Sequence, residues 1–126
     1  MTKFHLENND NNEWLNKANE LIDKYSNIDK SMYKDIKLSL HHILIRSIYP
    51  QYTNDERNHL WMTWQDHWLI HYYMWKADTK YCAAFWFCYV YFKKHFNMTI
   101  TDEEYAQLKS DMSAYRKNKR KVKYDT

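Results

Sequence analysis

The chain has 126 residues, with 19 basic against 16 acidic, and it contains no glycine, one proline, 12 Tyr, 6 Trp and 5 Phe. The length fits one domain, and 44% hydrophobic with 28% charged residues is the balance of a folded chain. Without glycine there is no P-loop, Rossmann fingerprint, nucleophile elbow or EF-hand loop, and no Asn-Gly or Asp-Gly hairpin turn. All-β and α/β folds are therefore disfavoured, together with their nucleotide-binding and hydrolase chemistries.

The remaining pattern predicts an all-α, compact single-domain bundle of about five helices. Residues 1–11 form a polar lead-in, rich in Asn8, Asn9, Asp10 and Asn11 and expected to fray. The lead-in lacks the basic and apolar regions of a secretion signal, which points to a cytoplasmic protein. The helical domain spans 12–115, and 116–126 is a basic C-terminal tail. The first helix covers about 12–25, where Trp14, Leu15, Ala18, Leu21, Ile22 and Tyr25 share a face. The second is expected from Asp29, its N-cap, to Ile48, on the stripe Met32, Tyr33, Ile36, Leu40, Ile43, Leu44 and Ile48. Pro50 ends it.

Thr53-Asn54-Asp55-Glu56 reads as a capping box opening a third helix that runs to about Lys76. Its stripe is Leu60, Trp61, Trp64, Trp68, His71, Tyr72 and Trp75. The fourth helix, 80–96, is apolar almost all round, so it is expected to be central and to form an aromatic-rich hairpin with the third. Its apolar run, 81–92, falls short of the about 20 residues of a membrane span, and a membrane partner is not expected. Cys82 and Cys88 lie about 240° apart on such a helix and are expected as separate reduced thiols. Thr101-Asp102-Glu103-Glu104 is a second capping box and opens the fifth helix, with Tyr105, Leu108, Met112 and Tyr115 inward.

Three features bear on function. His67 and His71 stand at i and i+4 on one helical face, a spacing that holds two metal ligands. Trp68 stands where a zincin carries glutamate, a site needs a third ligand, and His41-His42 point to different faces. The pair is read as a weak metal candidate beside a structural role, and no cofactor is expected. The aromatics exceed what one core should bury, so Tyr49, Tyr52, Tyr73, Tyr89 and Tyr91 become candidates for a partner surface or a homodimer contact. The tail carries Arg116, Lys117, Lys119, Arg120, Lys121 and Lys123, six of the 19 bases, which leaves the rest of the chain with two more acids than bases. These six are candidates for contact with nucleic acid or an acidic partner.

No nucleophile–base–orienter set is visible, so a non-enzymatic reading is expected. It is a small helical interaction protein that binds and modulates or inhibits another protein, of the kind found among phage and mobile-element accessory proteins acting on a host nucleic-acid enzyme or defence complex. The alternative is a nucleic-acid-binding protein that uses the basic C-terminal helix and tail.

Overall fold

The computed structural model describes residues 2–28, 30–96 and 98–125, without the side chains of Lys30, Phe96 and 120–125. It is mainly helical. Its elements in chain order are α1 (Glu13–Ser26), β1 (Ser39–His42), β2 (His59–Met62), α2 (Trp64–Ala77), α3 (Cys82–Phe96) and α4 (Asp102–Asp125), with short 3-10 turns between them. The expectation of five helices and a purely all-α fold is therefore corrected, among the described residues, to four helices and a two-stranded sheet. Among the described residues, no helix is long and apolar enough to cross a membrane.

The error lies in 29–62. The expected second helix is a 3-10 turn at Lys30–Tyr33 followed by β1. Burial alternates residue by residue from Ser39 to Ile45, the period of a strand. Two of the inward positions are polar, Ser39 and His41, so an apolar count missed the period. The expected N-cap Asp29 lies outside the described residues. Residues 53–56 do not open a long helix. Asp55 caps only the 3-10 turn Glu56–Asn58, and β2 follows, pairing antiparallel with β1 as His41↔Leu60 and His42↔His59.

The true start of α2 is Thr63, which directly follows β2 and whose Oγ1 accepts from Asp66 N at 3.3 Å. The capped starts of α1 and α4 match the sequence reading. Asn12 caps α1 through Trp14 N and Leu15 N. Thr101 and Glu104 exchange the reciprocal bonds of a capping box at α4.

α2 is the central element, packed against α1, α3 and β1. Ile70 and Met74 face a first core with Ala18, Ile22, Ile43, Leu60 and Met62. Trp68 and Trp75 face a second core with Phe85, Tyr89, Leu108 and Met112. Trp75 stacks on Phe85 at 5.2 Å and donates to Asp111 at 2.8 Å, which ties α2 to both α3 and α4. The expected all-round burial of the fourth helix fails, because α3 leaves Phe87 75% exposed and Val90 and Tyr91 nearly half exposed. The lead-in docks: Leu6 is buried in the first core and exchanges two hydrogen bonds with the Asn19 side chain.

Candidate metal centre

The third face of α2 carries His67 and His71. One turn of helix places them side by side, with ring centres 5.0 Å apart. β1 lies across this face and turns its inward side chains, Ser39 and His41, toward it. The His41 ring centre is 5.1 Å from His67 and 4.7 Å from His71. One potential ligand nitrogen of each of the three imidazoles lies within 4.8 Å of the others. A tetrahedral ion with Zn–N bonds near ~2.0–2.1 Å sets ring centres roughly 5 Å apart and nitrogens roughly 3.3 Å apart. The ring triangle already has that size, while the nitrogens, within 4.8 Å of one another, would have to draw inward to reach it.

The polar bookkeeping of the triad is unusual. His41 is 1% exposed, and neither its Nδ1 nor its Nε2 has a hydrogen-bond partner among the described residues. His71 Nδ1 is likewise buried without a partner. Buried polar atoms are nearly always satisfied, and each orphan costs about 1–3 kcal/mol. His67 differs: its Nδ1 is 2.6 Å from Ser39 Oγ. With the Nδ1 proton donated to that oxygen, Nε2 is the basic nitrogen, the usual outer-shell arrangement of a metal-ligating histidine. All three rings are held neutral, the ligand form. Burial pushes His71 down to about 3, helped by His67, and His67 down to about 4, helped by His42. Burial and the neighbouring His71, His67 and His42 also hold His41 well below the ordinary value.

His67 and His71 line a cleft of about 850 Å³, with His41 closed off behind them. Arg46, Arg116 and Lys119 stand in its wall, and Trp86, Met112 and Tyr115 supply apolar surface. Three histidines with one side open to a cleft is the make-up of a catalytic rather than a closed structural zinc site. These three residues would hold an ion there, and such an ion would supply Lewis-acid chemistry toward a carbonyl, a phosphoryl oxygen or a water.

The sequence reading took His67 and His71 as the pair and set His41 aside with His42, because neighbours on the helix expected there point to different faces. The alternation of Ser39, His41, Ile43 and Ile45 was the signal available. Asp66, next to the pair, is used otherwise: it accepts from Tyr25 at 2.6 Å and Lys24 at 3.0 Å.

The tyrosine candidates do not converge. Tyr52 packs on Phe4, Tyr73 on Trp14, and Tyr91 stacks on Trp64. Tyr89 is buried in the second core, at 4% exposed, and is withdrawn as a surface residue. Tyr49 and Tyr52 share a second, polar cleft with the lead-in. Arg116, Lys117 and Lys119 are exposed on α4, which continues to Asp125. The side chains of Arg120, Lys121 and Lys123 lie outside the described residues. Cys82 and Cys88 are free thiols, and burial pushes Cys88 up to about 12. Comparison of the chain with family models, curated proteins and solved structures finds no match.

Proposed function

We propose that the protein is a metalloprotein that holds one zinc-class divalent ion on His41, His67 and His71 and presents its open coordination position to the adjacent cleft. The observation that carries this reading is the set of orphaned nitrogens: His41 Nδ1 and Nε2 and His71 Nδ1 are buried beside a third, oriented imidazole. A metal ion takes one nitrogen of each ring and so relieves part of that cost, leaving the second His41 nitrogen and Trp68 Nε1, likewise without a partner among the described residues, outside its reach. The reading replaces the expectation of a cofactor-free chain.

The test is calorimetric titration of chelator-treated protein with zinc. One equivalent is expected to bind, and His41→Leu and His67→Gln are each expected to remove it, while His42→Ala, outside the triad, keeps it. Circular dichroism of each variant checks the fold. Zinc binding unchanged in folded triad variants, or none in the wild type, overturns the reading.

The interaction-protein reading keeps one observation of its own, the exposed Phe87, Val90 and Tyr91 face of α3. Its most direct form is self-association, and sedimentation equilibrium of wild type and Phe87→Ser decides it. A monomer in both removes that form. The nucleic-acid reading rests on Arg116, Lys117 and Lys119, and it requires affinity that falls steeply with salt.

A further inference from the structure

We infer that the cleft beside the three histidines binds an organic anion, a phosphate or carboxylate carrying an aromatic or aliphatic group, with the anionic end on the metal ion. This rests on the metal reading above.

The charge argument comes first. Three neutral imidazoles leave the whole double charge of the ion uncompensated, unlike a site with carboxylate or thiolate ligands. The wall adds to the imbalance. Arg46, Arg116 and Lys119 line the cleft, and no Asp or Glu is among its described lining residues. A concave surface of one sign, walled by low-dielectric side chains, concentrates the opposite charge. Arg46 comes from the loop after β1 and the other two from α4, so two separate elements bring cations to the cleft. Lys119 Nζ sits 5.7 Å from the Tyr115 ring centre, which keeps it at the wall.

The shape argument sets the rest of the ligand. A volume of about 850 Å³ is far larger than a bare phosphate needs and falls in the range of small-molecule sites. Trp86, Met112 and Tyr115 offer surface that only an apolar group covers. An inorganic anion would leave that wall wet. The ligand therefore has two ends: an oxyanion for the ion and the arginines, and a ring or short chain for the aromatic wall.

Cobalt(II) in place of zinc gives a visible spectrum that reports both events. Development of intense d–d bands at one equivalent reports the three-histidine ion. Phenyl phosphate and hexanoate are expected to shift those bands, since each replaces the exchangeable ligand. Inorganic phosphate is expected to need about tenfold or more higher concentration, because it gains nothing from the apolar wall. Arg116→Gln and Arg46→Gln are each expected to weaken phenyl phosphate about tenfold while the cobalt titration stays unchanged.

Cobalt bands that neither phenyl phosphate nor hexanoate moves overturn the ligand assignment and leave the metal reading standing. Equal affinity for inorganic and phenyl phosphate overturns the apolar half of the ligand. Full affinity in both arginine variants overturns the cationic clamp. Absence of cobalt bands overturns the metal reading and this inference with it.

Discussion

His41 is the residue on which the site turns, and its cost to the fold is measurable. Replacing it with leucine removes two orphaned nitrogens from a buried position. His41→Leu is therefore expected to leave the metal-free protein as stable as wild type or more stable, by about 1–2 kcal/mol in a urea titration, while abolishing zinc-induced stabilisation. Ser39→Ala probes the outer shell. It frees His67 Nδ1 and is expected to weaken zinc about 10–100-fold with the fold intact. The pH dependence has a definite sign. Burial pushes His67 down to about 4 and His71 down to about 3 in the folded chain, against the ordinary 6.5 when unfolded, so the unfolded chain binds more protons between those limits. Metal-free stability is then full above about 6.5 and falls as pH drops toward 4, which a series of thermal melts will show. His41, depressed by the same burial and by His67, His71 and His42, adds to the same slope. The sequence disclosed the two histidines that share a helix, because i, i+4 spacing is local. It hid His41, because only a cross-element contact brings it near.

At the scale of elements, the helices were legible wherever a cap or a long stripe marked them. Asn12 and the Thr101–Glu104 box are bonds between near neighbours, and the sequence carries them openly. The strands were not legible. β1 and β2 are four residues each, their inward side chains include Ser39 and His41, and their stability comes from pairing with each other and packing on α2. Thr53-Asn54-Asp55-Glu56 satisfied a capping pattern, yet Thr63 three residues beyond Leu60 is the cap that α2 uses. Thr63→Ala is expected to cost about 1 kcal/mol through the lost cap, read as a drop of roughly 3–4 °C in Tm. The loss also removes the Tyr25 hydroxyl's 3.1 Å contact, so the drop should exceed that of a solvent-exposed cap. The all-round apolar character of α3 was read as centrality. Its exposed Phe87, Val90 and Tyr91 show that composition does not say how many neighbours a helix has.

For the whole molecule, α2 is a wall shared by two cores, with the histidine triad on its remaining side. Among the described side chains of α4 the last buried one is Met112, so truncation after Arg116 is expected to leave a folded protein that still takes up zinc. Loss of Lys119 should then weaken only the anion, which the cobalt spectrum reads separately. Saturating zinc at 100 times its dissociation constant is expected to add about 2.7 kcal/mol to the unfolding free energy, against none in His67→Gln. The division of the triad between one helix and one strand also has a consequence in time. His67 and His71 are adjacent whenever α2 has formed, even in a chain that has folded nothing else, whereas His41 arrives only when β1 has docked. Two ligands bind an ion weakly and three hold it, so the ion gains most of its grip after the strand is in place. Zinc should accordingly leave the refolding rate nearly unchanged and slow unfolding, and stopped-flow traces with and without the metal should differ almost wholly in the unfolding limb.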